Sequence, residues 1–242
     1  MNDVAMFHDA TRSDGIAQRK SVPNGETLTP GGALRLQRRF EIIFSGNPNA
    51  FRGARVLDLK SSSGFWSLAA LGAGAKHVVA VEPGKALVES ARKTFNEHQV
   101  DAASYLFMNS EVGSALRSFE PGAFDVLVSH GYFEQSDPRA FFSQLNRLQI
   151  KRVLIDTKIS VGKGPIVRLR NRSPDEAELK PMNRYNAILS IPNHELITFF
   201  CDYFKFSWRL VLGKTTELSD WTGLSDYERG HHSTYLLERS AD

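Results

Sequence analysis

The most constraining feature of this 242-residue chain is a strand, bend, helix and second strand between residues 55 and 84. Two continuous apolar runs, Val56-Leu57-Asp58-Leu59 and Val78-Val79-Ala80-Val81, are typical of buried parallel strands. Small residues follow the first run, and Glu82 ends the second. In an open α/β sheet, ligands bind beyond the carboxyl ends of such strands, close to the N-terminus of the next helix. The segment therefore predicts half of a nucleotide-binding site.

The bend supplies space, and the acid supplies hydrogen-bond acceptors. Small side chains let a ligand approach the backbone at Ser61, Ser62, Ser63 and Gly64. Glu82 can accept hydrogen bonds from two ribose hydroxyls, each worth about 1.5–3 kcal/mol. An acid followed by proline is also an ordinary helix start. Strand, bend and acid at this spacing together favour the cofactor site.

Composition is typical of a folded globular protein. With 41% hydrophobic and 24% charged residues, the chain can bury one substantial core as a single domain. The single cysteine, Cys201, excludes an intramolecular disulfide and is expected to be a small core residue. No run reaches the roughly 20 apolar residues that span a bilayer. We expect a soluble, cytoplasmic protein.

Further strands and helices alternate along the chain. Apolar runs at 104–108, 124–128 and 152–157 are separated by helical patterns, and 206–212 and 233–238 predict two closing strands. This order predicts an α/β, Rossmann-like, doubly wound sheet of about seven mostly parallel strands, with helices on both faces. Residues 1–32 predict a mobile segment or lid. Residues 33–44 predict a helix that buries Leu34, Phe40, Ile43 and Phe44.

Residues 53–160 resemble the class I S-adenosylmethionine-dependent methyltransferases. The resemblance is carried by Asp58–Gly64, Glu82 and the run from Phe124 to Pro138. It implies a methyltransferase domain over 33–242, a substrate-cap insertion at about 160–192 and an antiparallel final strand. It also implies S-adenosylmethionine as cofactor and S-adenosylhomocysteine as product. The implied cofactor-binding residues are Asp58, Lys60, Ser61, Ser62, Ser63, Gly64, Glu82, Pro83, Asn109, Ser110 and Ser129.

One departure from the family pattern concerns the bend. The family usually has an acid followed by three alternating glycines, whereas Lys60 and Ser62 replace the first two here and Gly64 keeps the third. Three interpretations are open: Lys60 turns outward, its ammonium pairs with the methionine carboxylate of the cofactor, or cofactor binding has been lost. Because a lysine at a turn is usually solvated, the first is favoured.

Residues just beyond the fourth strand are placed to act on the methyl acceptor. His130 is the leading candidate for a general base, because its ordinary pKa near 6.5 suits proton transfer at neutral pH. A packed or exposed structural histidine is the alternative. Glu134 and Tyr132 are further candidates for the base, which a carboxylate acceptor would not need. No spacing of ligating residues predicts a metal site.

The acceptor is expected to be a small molecule or lipid, methylated on oxygen or nitrogen and possibly anionic. Arg170, Tyr185 and Trp221 are the predicted substrate-binding residues, and Tyr227, His231 and His232 are expected in a loop that borders the pocket.

A net charge of +3 supports binding to nucleic acid only weakly. The basic candidates are the groups Arg35, Arg38, Arg39 and Arg168, Arg170, Arg172, Arg184. Alternatives are an enzyme resembling transfer-RNA wobble-uridine methyltransferases and a noncatalytic binding module; a dinucleotide oxidoreductase fits less well.

Overall fold

The computed structural model describes residues 30–171 and 188–240. Its strands are β1 Arg55–Leu59, β2 His77–Val81, β3 Tyr105–Met108, β4 Val126–His130, β5 Arg152–Lys158, β6 Val167–Asn171, β7 Ile188–Pro192, β8 Phe206–Leu212 and β9 His232–Arg239. Its α-helices are α1 Pro30–Arg39, α2 Pro48–Phe51, α3 Phe65–Gly72, α4 Lys85–Glu97, α5 Val112–Ser118, α6 Pro138–Arg147, α7 His194–Tyr203 and α8 Ser225–Glu228.

Seven strands form one sheet in the order β3-β2-β1-β4-β5-β9-β8. Neighbours from β3 to β5 pair in parallel, whereas β9 pairs antiparallel with both β5 and β8. The predicted fold class is therefore confirmed, including the antiparallel final strand. The order reverses between β1 and β4, so ligands are expected at the carboxyl ends of these two strands.

Helices cover both faces of the sheet, which explains why the central strands read as unbroken apolar runs. The apolar side chains of α1 to α4 pack on one face. Those of α5, α6 and α7 pack on the other. Cys201 on α7 is buried in this second layer, as predicted, and burial raises its pKa to about 12. Its thiol is therefore a small packing group at neutral pH.

The N-terminal helix differs from the predicted span of 33–44. It begins at Pro30 and changes after Arg39 into a π-helical turn, Phe40–Ser45. Asn47 stabilises this wider turn by donating from Nδ2 to the carbonyls of Ile42 and Ile43. Phe40, Ile43 and Phe44 are buried as predicted, whereas Leu34 is 38% exposed. The helix meets the core at its π end, and Leu34 lies a turn and a half before that contact.

The insertion after β5 contains a separate two-stranded antiparallel sheet, β6 and β7. Asn193 closes its base, because Nδ2 donates to the carbonyls of Gly162 and Gly164 while Oδ1 accepts from the amide of Ile166. This sheet falls inside the predicted cap at about 160–192. The predicted N-terminal lid lies almost wholly outside the described residues.

Candidate functional site

The bend after β1 keeps a glycine-type backbone without all of its glycines. Lys60 and Ser62 have φ angles of +59° and +53°, and Gly64 has +81°. Residues with a Cβ seldom adopt this left-handed conformation, which costs about 1–2 kcal/mol per residue. Strain of this kind concentrates at functional sites. The bend is therefore left-handed at Lys60 and Ser62, the two positions where the family pattern has glycine.

Glu82 fastens the bend to the end of β2. Its carboxylate accepts a hydrogen bond of 3.0 Å from the amide of Ser62 and one of 2.8 Å from the amide of Gly84. The side chain is fully buried. Each of the two carboxylate oxygens thus accepts one backbone amide at the junction of the bend and β2.

Three buried side-chain oxygens near the bend have no hydrogen-bond partner. They are Asp58 Oδ1, Ser61 Oγ and Ser129 Oγ, at the carboxyl-terminal parts of β1 and β4. Such atoms are rare in folded proteins because losing water without a new partner costs free energy. They fit a polar ligand that contacts the switch point between these strands.

Asp58 carries an unusual protonation equilibrium. Burial raises its pKa to about 7, and the charge of Glu82 adds to the effect, although a 2.6 Å hydrogen bond from Ser67 Oγ opposes it. The carboxyl group is 1% exposed. It lies one residue before the end of β1, below the bend, where it can support the site from inside the sheet.

Asn109 is placed where the third strand ends, as predicted. Its Nδ2 atom donates to the carbonyls of Glu82 and Pro83 at 3.0 and 2.9 Å. The amide nitrogen therefore shapes the backbone beside Glu82, and Oδ1 remains as an acceptor. The next residue, Ser110, donates from Oγ to the carbonyl of Glu111 at 3.3 Å.

A buried polar network lies at the ends of β4, β5 and β9. We call it the Asp156 network; it consists of Arg39, His130, Asp156, Tyr227 and His232. Arg39 forms a close ion pair with Asp156, the Tyr227 hydroxyl lies 3.0 Å from both carboxylate oxygens, and His232 Nε2 lies 2.6 Å from Oδ1. Burial would raise the pKa of Asp156, but the charge of Arg39 together with the contacts from His232 and His130 holds that pKa well below the usual range.

His130 is the member of this network that is most exposed, with 32% of its side chain accessible. Its Nδ1 atom lies 2.9 Å from Arg39 Nη2 and 3.3 Å from Asp156 Oδ2. Trp66 covers both partners, with its ring 4.9 Å from the imidazole and 4.6 Å from the guanidinium. Burial of most of the ring and the charge of Arg39 lower the pKa of His130 to about 4.

The arginines of α1 bind acids of this same chain. Arg35 makes two 2.7 Å hydrogen bonds to Asp226, Arg38 pairs closely with Asp220, and Arg39 pairs with Asp156. The group considered as a nucleic-acid stripe is thus neutralised by its partners. In the second group Arg168 and Arg170 are exposed on β6, whereas Arg172 and Arg184 lie outside the described residues.

The other predicted catalytic residues have different surroundings. Glu134 is buried, accepts from the amide of Lys158 at 3.0 Å, and lies 3.7 Å from its Nζ. Tyr132 packs beside Phe141, and burial together with the charge of Glu111 raises its pKa. Neither contact joins these residues to the Asp156 network.

The predicted substrate residues are dispersed. Arg170 is exposed on β6, Trp221 is half-buried against the first apolar layer, and Tyr185 lies outside the described residues. Tyr227 and His232 do approach the site, but from α8 and the start of β9 instead of a loop; His231 is exposed.

The sequence prediction missed Arg39 and Asp156 as site residues. Asp156 gave one signal, a charged residue inside the apolar run of β5. Arg39 gave none, because its partner is 117 positions away.

Comparison with known proteins finds similarity to methyltransferases. Residues 56–150 match a family model described as a methyltransferase domain. The N-terminal domain of EvdMO1, crystallised with S-adenosylhomocysteine and D-fucose, is similar over 86% of this chain and 83% of that one, at 14% identity and a TM-score of 0.61. Magnesium protoporphyrin IX methyltransferase from Synechocystis PCC 6803, with bound S-adenosylmethionine, is similar over 99% and 98%, at 12% identity and a TM-score of 0.57. No curated protein matches the chain.

The domain match and the fold confirm the predicted resemblance to class I S-adenosylmethionine-dependent methyltransferases: residues 56–150 match a methyltransferase domain, and the chain has the fold of solved methyltransferases. The matched segment contains the bend, Glu82 and His130 but ends before Asp156. Across the described ranges, no helix is long and apolar enough to cross a membrane, and no cluster of three or more His, Cys, Asp or Glu side chains is arranged to hold a metal ion.

Proposed function

We propose that this protein uses S-adenosylmethionine to methylate an oxygen or nitrogen atom of a small molecule or lipid. The observation that carries the proposal is the strained bend at Lys60, Ser62 and Gly64, which Glu82 fastens to β2. The protein maintains this glycine-type path with two non-glycine residues, against a cost of about 1–2 kcal/mol each. Structural neighbours solved with S-adenosylmethionine or S-adenosylhomocysteine support the donor.

The residues around the bend fit the parts of this cofactor. Glu82 would accept hydrogen bonds from the ribose hydroxyls, and Asn109 Oδ1 would accept from the adenine amino group. Ser61 and Ser129 have unpartnered hydroxyls for the amino-acid tail, and Asp58 supports the bend from below. Pro83, Ser63 and Ser110 would border the ligand. Lys60 would contribute its backbone; whether its ammonium also pairs with the carboxylate is tested by Lys60→Ala, which would then weaken binding.

The chemistry requires alignment more than covalent help from the protein. When bound, the cofactor supplies a methyl group on a positively charged sulfur atom. Orientation of an acceptor for in-line attack can contribute about 7–11 kcal/mol. His130 and Trp66 border the place where the acceptor must approach, since His130 follows Ser129 and Ser129 pairs with Leu59 at the start of the bend. Their role is to position the acceptor and exclude water.

The acceptor side extends toward the insertion. Residues of β6 and β7 would cover the site as a cap, where Arg170 would bind an anionic group and Trp221 would form a wall. An RNA acceptor is less well supported, because Arg35, Arg38 and Arg39 are ion-paired within the chain.

Calorimetric titration with S-adenosylhomocysteine tests the proposal. We expect the wild-type protein to bind it, and Glu82→Gln to bind about 10–100-fold more weakly, because charge-assisted hydrogen bonds contribute roughly 1.5–3 kcal/mol. Glu89→Gln, on the exposed face of α4, is the matched control and should bind as the wild type does. Thermal unfolding of both variants checks that the buried Glu82 position still folds.

Absence of binding by the folded wild-type protein would refute the proposal. Equal affinity of wild type and Glu82→Gln would show that this carboxylate does not hold the ribose.

A further inference from the structure

The Asp156 network presents one imidazole nitrogen to the site. His130 ends β4 beside the bend, and its ring is held between Trp66 and Arg39. Its Nδ1 atom is used within the network, whereas Nε2 makes no hydrogen bond to the described part of the chain. The chemical character of Nε2 therefore decides what His130 can do for an acceptor.

The position of the imidazole proton follows from Arg39. A guanidinium can only donate hydrogen bonds, so His130 Nδ1, at 2.9 Å from Arg39 Nη2, must accept. Asp156 Oδ2 is farther from Nδ1, at 3.3 Å, and already contacts Arg39 and Tyr227. The neutral ring thus carries its proton on Nε2. His130 presents a hydrogen-bond donor to the site, and not the lone pair that a general base needs.

The remaining network side chains do not supply a base. Asp156 is surrounded by donors, Tyr227 donates to it, and burial raises the pKa of Tyr227 above its ordinary value. His232 lies between two carboxylates, with Nε2 2.6 Å from Asp156 Oδ1 and Nδ1 3.6 Å from Asp226 Oδ2. Both of its ring nitrogens therefore face carboxylates of this chain and not the methyl acceptor.

The other candidates near the site are committed as well. Glu134 is bound to Lys158 through its amide and Nζ, and the pKa of Tyr132 is raised. Glu82 receives two backbone amides. Asp58 lies inside β1 beneath the bend and is almost fully buried. The described residues thus provide a donor, but no free base, where the acceptor must lie.

From this arrangement, and resting on the proposed methyltransferase function, we infer that the methyl acceptor is a carboxylate, which His130 Nε2–H holds through one oxygen while the other oxygen is methylated. A carboxylate attacks without losing a proton, whereas hydroxyl and ammonium acceptors must lose one. A lone pair of the carboxylate oxygen forms the new C–O bond, the C–S bond of the sulfonium donor breaks, and its electron pair stays on sulfur. The products are a methyl ester and a thioether.

Charge within the site agrees with an anionic acceptor. Arg35 and Arg39 balance Asp226 and Asp156, and the low pKa of His130 keeps its ring neutral at pH 7. The positive sulfonium donor would then be the counter-charge for the carboxylate.

Histidine NMR tests the inference on the whole protein, with S-adenosylmethionine present so that the positive sulfonium is in place. Long-range proton–nitrogen spectra of protein labelled with ¹⁵N-histidine should show His130 protonated at Nε2 and unprotonated at Nδ1 at pH 7. Sodium acetate, as the smallest stable carboxylate probe, should shift the Nε2 signal saturably, with an apparent Kd at least tenfold lower than that of acetamide. Protonation at Nδ1, or equal responses to acetate and acetamide, would overturn the inference.

Variants separate the donor role from a merely structural one. His130→Gln keeps an N–H group near the position of Nε2 and should retain acetate binding, detected through the indole signal of Trp66, whereas His130→Phe should lose it. His231→Gln, at the exposed histidine that precedes His232, is the control and should bind acetate as the wild type does. Calorimetry keeps the two proposals apart: a protein that binds S-adenosylhomocysteine but fails the acetate test refutes only the carboxylate inference.

Discussion

Replacement of Asp156 by asparagine is expected to destabilise the protein strongly. Asp156→Asn leaves the charge of Arg39 buried without its counter-charge, in a side chain that is 4% exposed. Removing one partner of a buried ion pair costs about 3–5 kcal/mol. Because whole domains have a free energy of unfolding of about 5–15 kcal/mol, this is a large share of the total. In a chain of this size it corresponds to a fall in Tm of about 6–20 °C.

The comparison with a nearby exposed pair makes this prediction specific. Asp220→Asn removes the partner of Arg38, but its side chain is 58% exposed, so water can replace the lost contact. Urea unfolding at pH 7.5 measures both variants.

The pKa of Asp156 is lowered in the folded state. The contribution of Asp156 to the free energy of unfolding is therefore present above the unfolded pKa near 3.9, and it disappears only as pH falls through the folded value.

A double variant tests the cause of the loss. Arg39→Met combined with Asp156→Asn removes both charges, so it should be more stable than Asp156→Asn alone. The reasoning is wrong if Asp156→Asn loses no more stability than Asp220→Asn, or if the double variant recovers nothing.

Three further predictions concern the donor side and the product. Because burial raises the pKa of Asp58 to about 7, the folded state retains a proton that the unfolded state loses as pH rises. The free energy of unfolding should therefore fall by up to about 4 kcal/mol between pH 4 and 7. Urea unfolding across this range should show this fall in the wild type, and Asp58→Asn should lack the part that is due to Asp58. Ser62→Gly should raise the free energy of unfolding by about 1 kcal/mol by relieving left-handed strain, whereas Gly64→Ala should lower Tm, since its Cβ would lie 3.0 Å from Ala91 Cβ. Finally, label transferred from methyl-tritiated S-adenosylmethionine to an acceptor in a metabolite extract should be released as methanol by mild alkali, and alkali-stable label would contradict a methyl ester.

Local sequence patterns were sufficient to predict the sheet, and they placed the bend and Glu82 at the carboxyl ends of β1 and β2. Buried parallel strands read as apolar runs, and the spacing from β1 through the bend to Glu82 is set by a single strand–helix–strand unit. The left-handed angles at Lys60 and Ser62 could not be predicted from those residue types, because both usually avoid that conformation. Tertiary contacts with Glu82 and β2 overcome this preference.

The Asp156 network depends on contacts between distant parts of the chain. Arg39, Asp156 and Tyr227 come from α1, β5 and α8, and no periodicity relates positions so far apart. The π-helical turn after Arg39 was also not predicted, since an amphipathic pattern does not distinguish a π turn from an α turn. The same amphipathic pattern wrongly predicted that Leu34 is buried, because it does not show where along the helix the contact with the core begins.

The order in which the Asp156 network is completed has a consequence for the growing chain. Tyr227 follows Asp156 by 71 positions, so a ribosome must still add α7, β8 and α8 after it has made this carboxylate. The bend, Glu82 and Asn109 are all made before residue 110. Translation therefore makes the residues that we propose bind the donor before it completes the network that we propose faces the acceptor, and a stalled chain that ends before β9 would lack His232 of that network.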